Sequence, residues 1–189
     1  ALDLLNSIFV KKRTLDQAIF TCKTFDTLTL SDKSFARLLT VTVIRRAGQI
    51  DSVLQCFLRT GMPSGARDFK NILRLACAEI LFLGGKSHAA VDSAVTLVEA
   101  KKLPHYKGLA NAVLRRLASE GKTKLKRFPV RLNYPSWLID SWTNHYGLDK
   151  AEKIFEACVQ EPMLDISVKS NPSYWAKKLD GQLLVSGSI

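Results

Sequence analysis

Along the first two-thirds of the chain, apolar residues recur every three or four positions, the spacing of amphipathic helices. The pattern predicts short helices over residues 2–12 and 14–23, with Thr14 as N-cap ahead of Leu15, Ala18 and Ile19. A Thr-, Ser- and Asp-rich loop, Thr24–Asp32, leads to a longer helix capped by Ser31 or Asp32. In that helix Phe35, Leu38, Leu39, Thr42 and Val43 share one face, and Gly48 breaks or bends it before a second piece, Asp51–Leu58. Thr60–Asp68 is a loop by composition. Residues 68–83, "DFKNILRLACAEILFL", are apolar almost all round, with a polar edge of Lys70, Asn71 and Arg74. Such a helix belongs at the centre of a bundle.

Gly84-Gly85 ends the central helix. Another runs from a Ser87 cap to about Lys102 and is stopped by Pro104. "HYKGLANAVLRRLASEGKTKLKRF" follows, His105–Phe128. In its first part Leu109, Ala110, Ala112, Val113, Leu114 and Leu117 form one broad apolar arc expected to be buried, with Asn111 and Arg115 on the opposite face and Arg116 at the rim. Beyond Gly121 the stretch is too basic, and too poor in apolar residues, to pack. "VRLNY" between Pro129 and Pro135 reads as a linker. The aromatic-rich helix Pro135–Gly147 and a second one over residues 149–160 come next. "LDISVKS" (Leu164–Ser170) and "QLLVSGSI" (Gln182–Ile189) read as two strands around a short helix. The expected fold is therefore all-α, with a minor strand element near the end. A first domain is expected over residues 1–127 and a mostly helical segment over 128–189.

Charge sharpens this division. Residues 1–127 carry 22 Lys and Arg against 10 Asp and Glu, whereas residues 128–189 carry 6 against 7. The net charge of +11 thus resides in the first part, which points to an anionic partner, nucleic acid first. No apolar run approaches the length of a membrane span, and a cytoplasmic setting is expected. The four cysteines, Cys22, Cys56, Cys77 and Cys158, are widely spaced. They read as reduced core residues, not as metal ligands.

Motifs for chemistry are missing. No glycine-rich phosphate loop follows a strand, and Gly84-Gly85-Lys86 has the wrong spacing for one. His88, His105 and His145 lack a metal-ligand pattern. No cysteine has the setting of a nucleophile. Glu79 lies in the apolar arc of the central helix, where a carboxylate is costly unless partnered. A structural hydrogen bond to backbone or arginine is expected for it. On the residues alone, this chain binds and does not catalyse.

"LRLACAEILFL" (Leu73–Leu83), "HAAVDSAVTLVEAKKL" (His88–Leu103) and "KGLANAVLRRLA" (Lys107–Ala118) resemble the C-terminal helices of the NusB family. "SFARLLTVTVIRRAGQID" (Ser34–Asp51) resembles that family's N-terminal half. The resemblance implies a NusB-like helical bundle that binds RNA. Within the family, the lysine–glycine opening at Lys107 and the "LRR" ending look most like the N-terminal region of RsmB-type 16S ribosomal RNA cytosine-carbon-5 methyltransferases. So does "YPSWLIDSW" (Tyr134–Trp142). That kinship implies ribosomal RNA as partner, and S-adenosylmethionine as cofactor of a catalytic domain whose glycine-rich loop and Pro-Cys are not in this sequence. No cofactor is expected in the residues at hand. A ribosomal protein or the catalytic domain is the other implied partner. The alternative is a stand-alone antitermination factor binding boxA RNA with a ribosomal protein, or a protein-interaction module. The residues expected to meet RNA are Lys11, Lys12, Arg13, Arg37, Arg45, Arg46, Lys107, Asn111, Arg115, Arg116, Lys122, Lys124, Lys126 and Arg127.

Overall fold

The computed structural model describes residues 1–189, which form two compact units, Ala1–Val159 and Gln160–Ile189. The first holds ten α-helices: α1 Leu2–Phe9, α2 Leu15–Phe20, α3 Lys23–Asp26, α4 Leu30–Arg45, α5 Ala47–Gln55, α6 Arg67–Phe82, α7 Ser87–Ala100, α8 Lys107–Leu125, α9 Ser136–Tyr146 and α10 Leu148–Cys158. Two 3-10 turns, Pro104–Tyr106 and Val130–Asn133, flank α8. Local chemistry starts several of these elements. Thr14 and Gln17 close a reciprocal capping box on α2. The cap of α4 is Thr29, earlier than Ser31 or Asp32, and its hydroxyl accepts from the Asp32 backbone N–H.

Helix α6 is the hub, with α1, α4, α5, α7 and α8 all packed on it. Phe69, Ile72, Leu73, Ala76, Cys77 and Ile80 are buried there and meet Ala110, Val113, Leu114 and Leu117 of α8 in one core. Burying each large side chain of this kind contributes about 1.5–3 kcal/mol. The polar edge of α6 is itself covered, because α1 and α5 supply matching groups. Arg74 donates from Nε and Nη2 to the Asp51 carboxylate at 2.7 and 2.6 Å, and from Nη1 to Asn71 Oδ1 at 3.0 Å. Asn71 Nδ2 donates to Asn6 Oδ1 at 2.8 Å, and Asn6 Nδ2 donates to Asp68 Oδ1 at 2.7 Å. A chain of hydrogen bonds, charge-assisted at Asp51, Arg74 and Asp68 and neutral between Asn71 and Asn6, thus ties three helices together, satisfying side chains that would otherwise be costly to bury.

Three expectations are corrected in this unit. The break after α4 falls at Arg46 (φ −120°, ψ 20°), and Gly48 lies inside α5. The basic run beyond Gly121 does pack: α8 continues to Leu125, and Leu125 and Phe128 rest on the core. The segment expected as a linker is stapled to the bundle. Gln49, 4% exposed, donates from Nε2 to the Phe128 carbonyl at 2.8 Å. Its Oε1 accepts from Asn133 Nδ2 at 3.0 Å, and its backbone N–H donates to Asn133 Oδ1 at 2.9 Å. Beyond the staple, Tyr134, Trp142 and Phe155 form an aromatic cluster that joins α9 to α10, and the Tyr134 hydroxyl donates to the Phe155 carbonyl at 2.9 Å.

In the second unit, α11 (Pro172–Leu179) starts at Asn171, whose side chain accepts from the Tyr174 N–H. The two expected strands do not form. Ile166 and Ile189 exchange a reciprocal pair of backbone hydrogen bonds, 2.7 and 2.9 Å, and a single such rung makes no ladder. Of the four cysteines only Cys77 is a core residue, its thiol pushed up by burial. Cys56 and Cys158 are exposed and Cys22 is half-buried, so the expectation of core positions fails for those three.

Candidate nucleic-acid interface

The bundle places ten of the fourteen expected RNA-binding residues in two groups at opposite ends of α6, with Arg37, Asn111, Arg115 and Arg116 in neither. At its start, Asn6 of α1 bonds Asp68, and Tyr106 stacks on Phe69 with ring centroids 4.5 Å apart. Lys11, Lys12 and Arg13, which follow α1, and Lys107, which opens α8, therefore lie toward this end. At the far end, the Arg46 guanidinium sits 4.5 Å from the centroid of the Phe82 ring, and Gly121 of α8 backs onto Leu81. Arg45, Arg46, Lys122, Lys124, Lys126 and Arg127 therefore share the other end. A helix of 16 residues separates the groups, about 24 Å.

The groups differ in how much charge is already spent. Toward the first end, Lys107 pairs with Glu99, and Arg13 Nη1 donates to Thr21 Oγ1 at 2.8 Å. Lys11 and Lys12 are exposed and unpaired, and Lys12 adopts a left-handed backbone (φ 58°). On α8, Arg116 sits 3.5 Å from Glu120 and lies over the Phe57 ring, while Arg115 Nε donates to Asn111 Oδ1 at 2.9 Å. Arg115 stays exposed on the surface facing away from the core, as the helical periodicity predicts. Arg37 is exposed and unpaired in the middle of α4, away from both ends. At the far end Lys122, Lys124, Lys126 and Arg127 form no ion pair; Lys122, Lys126 and Arg127 are exposed and Lys124 is half-buried. Arg46, half-buried, also donates to Gln49 Oε1 at 3.2 Å; burial lowers its pKa, and nearby Tyr134 partly offsets this. The far end is thus the place where several cations remain available for phosphate oxygens.

Sequence reasoning missed a further basic site at the start of α6. Arg67, Lys70 and Arg74 line a pocket of about 400 Å³ with Phe9, Val10 and Asn71. Arg74 covers the Phe9 ring at 4.5 Å, and Lys70 joins it on Asp51 at 3.0 Å. Burial pushes the Asp51 carboxyl up, but hydrogen bonds and charge from Arg74 and then Lys70 outweigh it and hold the group below its usual range. Only Arg67 remains unpaired there. The i, i+3, i+7 spacing of Arg67, Lys70 and Arg74 was the available signal; their acidic partners were not visible in it.

Glu79 is half-buried and has neither a hydrogen bond nor an ion pair. The expected structural bond is absent because the arginine on the same helix, Arg74, is held by Asp51 on another face. Burial alone pushes the Glu79 carboxyl up. No group of side chains in the chain has the makings of a metal site. No helix is long and apolar enough to cross a membrane.

Comparison with known proteins agrees with this architecture. The model of the NusB family matches residues 1–119. Ribosomal RNA small subunit methyltransferase B of Xanthomonas campestris pv. campestris is 31% identical over 136 residues, which is 70% of this chain and 30% of that protein. The proteins of the same name from Salmonella paratyphi B and Salmonella newport are 26% and 27% identical over 140 residues, 72% of this chain and 32% of theirs. The chain therefore spans about a third of the length of these relatives.

Proposed function

The chain belongs to the NusB family, and from that premise we propose that it grips ribosomal RNA on behalf of a 16S ribosomal RNA cytosine-carbon-5 methyltransferase of which it forms the N-terminal region. The observation that carries the reading is the group of unpaired cations at the end of α8, Lys122, Lys124, Lys126 and Arg127, beside Arg45 and Arg46. Cations without protein partners are those free to displace counterions from a phosphate backbone. In this reading the chain contributes binding and orientation. Tethering raises the local concentration of RNA at a linked active site into the millimolar range for a short flexible linker. S-adenosylmethionine would serve the linked catalytic domain, and none of the residues described above is assigned to it. Work on ribosomal RNA sets the protein in the cytoplasm.

Binding of a 16S ribosomal RNA segment across a salt series tests the proposal. With about four phosphates neutralised, log K against log salt is expected to slope by roughly −3 for a single strand. The triple variant Lys122→Glu, Lys124→Glu, Arg127→Glu should weaken binding by at least tenfold at low salt and flatten the slope. Lys11→Glu with Lys12→Glu should do less. Equal affinity of wild type and triple variant would overturn the assignment of the site. A preference for a boxA-like single strand over ribosomal segments would move the reading to antitermination.

A further inference from the structure

The basic cavity at the start of α6 has an apolar wall as well as a charged one. It measures about 400 Å³ and lies between the end of α1 and the first two turns of α6. Phe9 and Val10 form one side, and Val10 is 40% exposed. Arg67, Lys70, Asn71 and Arg74 form the other. Two of these polar groups are built into the fold and do not merely lie on it: Asn71 is 2% exposed and Arg74 8%. A guanidinium has five N–H groups, and Arg74 spends three of them on Asp51 and Asn71. Asn71 gives Asn6 one of the two N–H groups on its amide nitrogen. Buried donors therefore remain at the floor, and a buried donor without an acceptor is costly.

Charge and shape together say what the cavity takes. No carboxylate lines it. Behind it Asp51 is shared by Lys70 and Arg74, and Asp68 accepts from Asn6. Three cations against those two carboxylates leave an excess of positive charge, and Lys11 and Lys12, directly after α1, add to it. The start of α6 has no side-chain cap, so its dipole acts in the same sense. This side calls for an oxyanion: Arg67, which has no partner, offers a fork of N–H groups, and Lys70 a point charge. A bare phosphate leaves Phe9 and Val10 in water and most of the volume empty. An uncharged planar ring attached to the anion fills that side, packing on Phe9 as bases pack on aromatic side chains. The volume falls among those of small-molecule sites, about 300–1,000 Å³. We propose that the cavity between α1 and α6 binds a nucleoside monophosphate unit, with its phosphate on Arg67 and Lys70 and its base against Phe9 and Val10. The same unit occurs as a free nucleotide and as an unpaired nucleotide of an RNA strand. The cavity uses none of the cations at the end of α8, so it stands or falls apart from the RNA reading.

The probe is adenosine 5′-monophosphate, titrated into the isotopically labelled chain and followed by NMR, with inorganic phosphate and adenosine titrated in parallel. The nucleotide should saturate with a Kd of about 1 mM or below. It should shift the Val10 methyl and Arg67 side-chain signals, and each half alone should bind at least tenfold more weakly. Arg67→Gln should weaken the nucleotide and phosphate at least tenfold and leave adenosine unchanged. Val10→Ser should weaken the nucleotide and adenosine and leave phosphate unchanged. Both positions are exposed, and circular dichroism checks that the fold is kept. The proposal is overturned if the nucleotide does not saturate, if phosphate binds as tightly as the nucleotide, if the shifts fall outside the cavity, or if Arg67→Gln leaves the affinity intact. A ten-nucleotide single-stranded RNA without a terminal phosphate then identifies the source. Displacement of the bound nucleotide assigns the cavity to an RNA strand; retention at saturating RNA assigns it to the free nucleotide.

Discussion

Replacing Gly48 by alanine reverses the sign that helix propensity alone would assign. Gly48 lies within α5, where alanine is favoured over glycine by about 1 kcal/mol. A Cβ at this position, however, would stand 1.8 Å from the Leu132 carbonyl oxygen and 2.5 Å from its carbon. The Val130–Asn133 turn must retreat by roughly 1.5 Å to restore ordinary contact, since close-packed interiors do not absorb such an overlap. The three bonds of Gln49 to Phe128 and Asn133, 2.8–3.0 Å long, do not survive that shift. At about 1 kcal/mol each, their loss costs about 3 kcal/mol. Net of the helix gain, Gly48→Ala should destabilise by about 2 kcal/mol and lower Tm by roughly 4–8 °C. Thermal melts followed at 222 nm measure the shift, and limited trypsin digestion at Arg127 and Arg131 should accelerate. Gly108 of α8 is the control, because a Cβ there meets nothing within 4 Å. Gly108→Ala should be neutral or stabilising by up to about 1 kcal/mol. A Tm for Gly48→Ala equal to or above wild type would refute the staple.

Asp51→Asn strands the buried Arg74 guanidinium and should cost about 2–4 kcal/mol at pH 7, read from urea unfolding. The folded pKa of Asp51 is depressed, so its contribution is complete above the usual aspartate range and is lost as pH falls through the depressed value. The wild type should accordingly lose stability in acid more steeply than Asp51→Asn. For Glu79 the sign is opposite: burial raises its folded pKa, so the carboxyl favours folding below the usual glutamate range, and this is lost as pH rises through the raised value. Glu79→Gln should therefore melt no lower than wild type at pH 7, with any advantage shrinking toward pH 4; a clear loss at pH 7 would mean that the carboxylate is structurally bonded. In RNA binding, the charge reversals at the end of α8 should exceed those at Lys11 and Lys12, because the former act on one cluster and the latter on two residues at the other end of α6.

Much of the architecture was written in local pattern. The helical periods of residues 68–83 and 107–118 depend only on which positions are apolar, and the core of α6 and most of that of α8 follow from them; Leu109 and Ala112, expected in the same arc of α8, stay exposed because no helix packs over that edge. Thr14 could be read as a cap because its partner, Gln17, is three residues away. The basic character of the first 127 residues is a sum over the chain and needs no fold. Tertiary structure decided what depends on partners distant in sequence. Arg74 is buried rather than offered to RNA because Asp51, 23 residues away, meets it. Glu79 is left alone for the same reason. The proline-flanked segment near residue 130 packs because Gln49 and Gly48, more than 80 residues earlier, provide matching bonds and a surface without a side chain. The separation of the cations into two groups arises from the antiparallel and parallel courses of α1 and α8 along α6. A strand pattern at the end of the chain yielded a single rung, because alternation supplies a face but not a neighbour to pair with. Local sequence sets the elements, since their hydrogen bonds are short-range; burial and charge pairing are settled by whichever side chains the packed helices bring into contact.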